Sequence, residues 1–589
     1  MTAFWINRLL TRLIPTQPTR SLPALMLASL LGVSSCVTWA APDAGSVLQQ
    51  LESRPGTFLS TPQLKTPLEP TAPATDEGGP VVHVNDFRIE GRTLLSASKL
   101  KKALKGFTGR DLSLTQLQEA AWVVVQTYRQ AGWLVNAMVP QQEIEQGVVT
   151  LRVVEAQLGE VHMQFPEGVK MPRKRIAVMA KILLIPGEPI NLRTVDRLLL
   201  LIDDLPGVIA SASFAPGTEQ GSTDVHILLG SDKAVDGNVS VDNMGSVSTG
   251  ASRVSASVSV NNPAGLGDAL QVQAVRTDGS RYARVAFSVP VGLDGWRLGV
   301  HASDLRYNLI GSFAALQASG AAQTWGLDFS SPLIRQPEHN LNGLLSIDRK
   351  IFDNQALANT QASEPATVSK YHLDVFRSGL TGNWFDQYWS PAQNSASLQA
   401  SYGRVDLTHS PNASADANAA RTDGAFRKLN FNYSREQSWT GQLTGYVQTA
   451  LQWANTNVDS SEKIYLGGAS GVRAYPSNEA GGSSGATFTT GLKYRFDASY
   501  TVNGFADWGR IQAYRNNLSV NNTELANVNL QSLRGIGLSL NWHDTQGREL
   551  SATWSRRMGI NPGANTSTGA DSDGTRTLHR LWLSAALNF

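Results

Sequence analysis

The chain has 589 residues, 17% of them charged and 52 of them glycine, with a formal net charge of +2. So balanced a composition gives no electrostatic reason to expect nucleic acid as a partner. A mean hydropathy of −0.18 does not exclude a membrane protein, because in a β-barrel only alternate residues meet lipid.

Arg8, Arg12 and Arg20 precede an apolar stretch over residues 22–37, which is followed by Thr38, Trp39, Ala40 and Ala41. Basic, apolar and small-residue regions in this order predict a signal peptide over 1–40, cleaved after Ala40. The apolar stretch is short for a membrane span. The only cysteine, Cys36, lies inside this leader in a Val33-Ser-Ser-Cys run that loosely resembles a lipoprotein box. Cleavage after Ala40 leaves a mature chain with no disulfide, thiol catalysis or cysteine-ligated metal. Within residues 41–80, the stretch 44–54 (AGSVLQQLESR) places Val47, Leu48 and Leu51 at helical spacing, and 55–80 is rich in Pro, Thr and acidic residues without periodicity. A short helix on a flexible tether and a disordered mature N-terminus both fit this pattern.

Two small α/β modules follow, over 81–157 and 158–232, each reading as strand, helix, helix, strand, strand. In the first, a strand over 81–90 is followed by helices over 97–106 and 114–131 and strands over 134–140 and 148–155; Ser113 reads as the second helix's N-cap and Gly132 as its end. The second module has helices over 173–182 and 192–205 and strands over 209–215 and 223–229. Units of this size suit docking better than an enzyme core, and their strand edges offer pairing sites to an extended segment of another chain.

From 233 to 589 the dominant pattern is alternation. Val254, Ala256, Val258 and Val260 alternate with serines; Leu270, Val272 and Ala274, then Ala283, Val285, Phe287 and Val289, then Ile536, Leu538, Leu540 and Trp542 repeat the theme. The last segment puts His579, Leu581, Leu583, Ala585, Leu587 and Phe589 on one face and Arg580, Ser584 and Asn588 on the other, and it stops on an aromatic. Strands with one lipid-facing and one wet face predict a transmembrane barrel. Polar stretches over 353–369 and 406–423 are too long for hairpin turns and read as long loops at one rim.

At this point the chain resembles a known family. The residues Val139-Pro-Gln-Gln142, Val153-Val-Glu155 and LLLLIDDLPG over 198–207, then Val241-Asp-Asn-Met-Gly245 and NNPAGLGD over 261–268, are similar to two-partner secretion transporters, the ShlB/FhaC/HecB or TpsB family. The resemblance covers nearly the whole mature chain in the family's order. It implies a plug helix carrying Val47, Leu48 and Leu51, a linker, two POTRA domains and a membrane β-barrel of about 16 antiparallel strands, the strand number coming from the family alone. It further implies a Gram-negative outer-membrane location and a secreted exoprotein partner with an N-terminal two-partner secretion domain. Outer-membrane lipid and the barrel assembly machinery are the other partners it implies, with Phe589 as the C-terminal barrel signal.

Two motifs carry the mechanism that the resemblance implies. Val472, Arg473 and Tyr475, within GVRAYP over 471–476, are similar to the VRGY/F motif of a sixth extracellular loop that folds back into the barrel. Phe505, Asp507 and Gly509 match the F-x-D-x-G motif of an inner wall. An arginine fork facing a carboxylate in a narrow lumen latches a loop to a wall, so Arg473 is paired with Asp507. Ala474 departs from the family's glycine, and alanine reaches positive φ only with strain, so a different backbone at the loop tip is expected.

Nine scattered histidines form no HExxH, and no GxxxxGK[ST] or GxSxG arrangement occurs. No enzyme, cofactor or metal site is expected. The function implied is export of a dedicated large exoprotein, adhesin-like or hemolysin-like, from periplasm to surface. The alternatives are a barrel assembly insertase of the same superfamily, which usually carries three to five POTRA domains, and a passive porin, which has no use for two periplasmic modules.

Overall fold

The computed structural model describes residues 42–52, 80–167, 170–219, 221–357 and 363–589. The expected signal peptide, with Cys36, and all but the last residue of the expected linker over 55–80 lie outside the described residues. The first described element is helix α1 (Ala44–Glu52).

The first module contains β1 (Val81–Val84), β2 (Asp86–Glu90), α2 (Ala97–Ala103), β3 (Arg110–Ser113), α3 (Leu114–Gln130), β4 (Val135–Met138) and β5 (Val148–Glu155). The single strand expected over 81–90 is two. Asn85 turns the chain, its backbone N–H and side-chain amide donating to Gly147 O at 2.7 Å and Gln146 O at 2.9 Å. Before this break β1 pairs with β3, which the sequence reading did not anticipate; after it β2 runs parallel to β5, and β4 lies antiparallel on the other side of β5. Ser113 caps α3 in a reciprocal box with Gln116, and Gly132 follows the helix at φ +94. Phe87, Leu100, Val124, Tyr128 and Leu151 form the core.

The second module repeats the plan with β6 (Gln157–Gln164), α4 (Arg173–Leu183), α5 (Leu192–Asp203), β7 (Val208–Pro216) and β8 (Ser222–Ser231), in sheet order β6-β8-β7. The residues that end α5 dock this module on the barrel. Arg335 of the wall donates its fork to both oxygens of Asp204, at 2.7 and 2.8 Å, and Leu205 packs at Gly267, where an added Cβ would approach it to 2.9 Å.

Sixteen strands form a closed antiparallel barrel, from Val235–Asp242 as the first to His579–Asn588 as the sixteenth, and these two pair to close it. At the seam the amide of Phe589 donates to Gly237 O at 3.0 Å, and the Phe589 ring covers the bare face of Gly237. The alternation read from the sequence is real: Leu581, Leu538, Val285 and Val272 point outward, and Trp296, Phe385, Trp389, Trp439, Phe496 and Tyr500 ring the end nearer the modules. Such an aromatic girdle marks a membrane–water boundary.

Turns on the module side are short, as at 292–295 and 544–547, while the opposite rim carries 407–423, 455–483, 513–529 and 558–578. The long loop expected over 353–369 is mostly strand: His339–Leu357 and Pro365–Asp386 continue through it. These strand ends rise beyond the apolar band, so water reaches their outer face and the apolar alternation that signals a strand is lost.

Candidate functional site: the occupied lumen

Two segments fill the barrel's interior. One is α1, capped reciprocally by Asp43 and Ser46, with the Ser46 amide donating to Asp43 Oδ1 at 2.8 Å and the Asp43 amide to Ser46 Oγ at 3.1 Å. Val47, Leu48 and Leu51 are buried against Tyr282, Leu305, Phe352, Leu373 and Phe426, all inward-facing. An inner wall wet by water is polar, so these apolar residues make sense only with a cover, and the helix is that cover. The Ala44 amide donates to Asn354 Oδ1 at 2.8 Å, and Glu52 accepts from Tyr282 and Ser303 at 3.3 and 3.4 Å.

The other segment is the sixth loop on the rim opposite the modules, residues 455–483, which turns inward. A two-residue hairpin, Ile464–Tyr465 on Gly481–Gly482, brings its arms together. Arg473 then meets Asp507 on the thirteenth strand (Tyr500–Gln512): Nη2 donates to Oδ1 at 2.7 Å, Nε to Oδ2 at 2.9 Å, and the Arg473 amide to Oδ2 at 3.1 Å. Thr489 adds a fourth donor at 2.9 Å. The Asp507 side chain is 1% exposed and that of Arg473 17%. Phe505 lies under the guanidinium, 3.2 Å from its carbon to the ring centroid.

The remaining motif residues make room. Gly509 faces Leu466 and Val472, where a Cβ would come within 2.9 and 3.1 Å. Tyr475 is fully buried with the Arg557 guanidinium 4.6 Å from its ring centroid. Ala474 does not adopt positive φ, so the expected strain does not arise. It fits because wall residue Gly535 has no side chain; a Cβ there would lie 2.7 Å from that of Ala474. The structure thus brings Val472, Arg473, Tyr475, Phe505, Asp507 and Gly509 together, sets Val47, Leu48 and Leu51 against a separate stretch of wall, and leaves Phe589 at the seam, in neither group.

Sequence reasoning missed three contributors. Ser555 and the indole of Trp582, inward-facing on the last strands, donate to the Arg473 carbonyl at 2.6 and 2.8 Å. The third, Glu462, is ion-paired with Lys350, Arg377 and Lys428. Trp582 sits on the face of 577–589 that Arg580 and Ser584 marked as inward, and that parity was the available signal.

A family model for the haemolysin secretion/activation protein ShlB/FhaC/HecB matches residues 221–538, and a model for the ShlB-type POTRA domain matches 82–156. The chain belongs to this family. As a two-partner secretion transporter, it is an outer-membrane pore with periplasmic N-terminal modules that carries a partner exoprotein to the cell surface. It is 27% identical over 564 residues to the heme/hemopexin transporter protein HuxB of Haemophilus influenzae (strain 86-028NP), spanning 93% of this chain and 95% of that one. In fold it is similar to CdiB from Escherichia coli, with TM-score 0.60 at 19% identity over 93% of this chain and 96% of that chain. It is also similar in fold to BamA from Haemophilus ducreyi lacking POTRA domains 1-3, with TM-score 0.51 at 13% identity over 86% of this chain and 100% of that chain.

Proposed function

We propose that this transporter is shut at rest by α1 and the sixth loop together, and that export of its cargo requires both to leave the lumen. The single observation supporting this is the apolar strip of inner wall that α1 covers, which open water in a permanent channel would leave exposed. The cargo is a dedicated large exoprotein, adhesin-like or hemolysin-like, whose N-terminal secretion domain is captured by the two modules, at free strand edges such as β7 with exposed Ile209 and Phe214. The protein acts without catalysis, in lipid, after insertion by the barrel assembly machinery. A passive porin has no need of a plugged lumen.

Deleting residues 44–52 tests the gating reading. Conductance in planar bilayers rises if the helix is the plug; unchanged conductance in a correctly folded, heat-modifiable barrel removes the plug role.

A further inference from the structure

The plug helix rests on a short 3-10 turn of the sixth loop (Ser460–Glu462), and the contacts are close. Ser460 Oγ donates to Asp43 Oδ2 at 2.8 Å, and Gln49 Nε2 donates to the Lys463 carbonyl at 3.2 Å. Gly45 crosses the turn so tightly that a Cβ there would lie 2.2 Å from Ser460 Oγ. Any side chain at that position pushes helix and turn apart.

The far side of the same turn is held to the wall by two carboxylates: Asp459, which precedes it and accepts from Tyr371 at 2.8 Å, and Glu462, which carries the ion pairs. Glu462, with a side chain 2% exposed, takes Lys428 Nζ at 2.5 Å, Arg377 Nη2 at 2.8 Å and Lys350 Nζ at 3.1 Å. These cations come from three different strands: His339–Leu357, Pro365–Asp386 and Gly424–Ser438. The Glu462 carbonyl accepts from Lys428 at 3.1 Å and from Gln452 at 2.9 Å. Arg377 also binds Asp348, which meets His301 Nε2 at 3.1 Å, and His301 Nδ1 meets Asp328 at 2.6 Å. At the centre of this set three cations face two carboxylates, so removing the Glu462 charge leaves Asp348 alone against all three. Buried cations without a counter-ion draw water and separate, and the turn loses its ion pairs, keeping only the carbonyl bonds of Glu462 and the Tyr371–Asp459 bond, while Arg473 and Asp507 remain untouched.

We propose that Glu462 is a positioning residue for gating: it keeps α1 in the lumen by fixing the turn on which the helix sits. This rests on the plug reading above but acts at a place distinct from the Arg473–Asp507 contact. Loss of the charge frees the helix and leaves an excess of lumenal cations, so the pore also becomes more anion-selective.

The test reads helix position directly. In a Cys36→Ser background, Val47→Cys reports burial of α1 through its labelling by a membrane-impermeant maleimide on full-length protein in outer membranes. The expected result is slow labelling with Glu462 present and at least about ten-fold faster labelling with Glu462→Gln, the order expected when a buried charge contact is lost. Glu462→Ala behaves likewise, and acetate, supplying a carboxylate to the vacated cation cage, slows the labelling again. Unchanged labelling in both variants overturns the proposal, as does faster labelling that acetate does not reverse, because misfolding of the loop is not repaired by a small anion. Deletion of 44–52 separates the two readings: unchanged conductance there, with labelling as expected, ends the plug reading and leaves the Glu462 tie standing.

Discussion

Arg473→Ala is the sharpest perturbation of the inward loop, because it removes two of the four donors to a carboxylate that is 1% exposed. The Arg473 amide and Thr489 remain, so Asp507 is left half satisfied rather than bare. Breaking a buried pair by losing one partner costs about 3–5 kcal/mol, and the two surviving donors put this case near the lower figure. Asp507→Ala strands a guanidinium that keeps the Phe505 ring, a contact of about 1–2 kcal/mol, and the Tyr446 side chain beside it. A loss of about 3 kcal/mol shifts the equilibrium between latched and released loop roughly a hundred-fold, since 1.4 kcal/mol is about a factor of ten. Each single variant is therefore expected to reduce secretion of the co-expressed exoprotein strongly. The double variant should lose little more, because the second substitution removes the charge that the first had stranded. A swap, Arg473→Asp with Asp507→Arg, restores part of the function at most, the fork and its ring platform being in the wrong places. Secretion is measured in culture supernatant, with heat modifiability confirming the barrel. Strictly additive losses in the double variant refute the reasoning and make the contact incidental.

Other outcomes follow from neighbouring contacts. Gly535→Ala drives a methyl to within 2.7 Å of Ala474, an overpacking error of about 1–3 kcal/mol that loosens the loop; adding Ala474→Gly should relieve it, and a double variant no better than the single would show that the fit is not the cause. Deleting 81–231 should abolish secretion while a heat-modifiable barrel persists in the membrane; continued secretion would move cargo recognition into the barrel itself. Glu479 of the sixth loop is pushed up to about 7 from an ordinary 4.5, chiefly by burial, while hydrogen bonds from Ser572 and Asn561 of the eighth loop work against that rise and Asp571 nearby adds to it. Because the folded form holds its proton more tightly, the burial of Glu479 stabilises the inward loop most below about pH 4.5, and that stability is lost as pH rises through about 7. Conductance should be lower at pH 6 than at pH 8, and Glu479→Gln should flatten the difference; a slope that survives the substitution assigns it to another group.

What could be read in advance depended on whether a residue's environment repeats along the chain. Barrel strands were legible because lipid and lumen alternate with each residue, so Leu581, Leu583 and Leu587 announce their face by parity alone. The same rule failed over 353–369, where strands continue beyond the lipid, so that the outer face meets water, while the inner face carries polar Asn354 and Ser369 buried beneath α1. The modules were legible from helix spacing and caps, yet β1 and β3 were not, because the break at Asn85 is set by a hydrogen bond to Gly147, far along the chain. The Arg473–Asp507 pairing came from motif resemblance, since nothing in spacing relates two charges on different segments. Glu462 had no motif to mark it: its three cations lie on separate strands, each appearing in sequence as one more inward polar residue of a wet wall. The apolar seat of α1 had a signal that went unused. Tyr282, Phe352, Leu373 and Phe426 fall on the inward parity of their strands, where a water-filled barrel carries polar groups. In a barrel, large apolar residues on the lumenal parity point to a segment that must come inside to cover them, and here their places along the wall mark where α1 lies before any helix is considered.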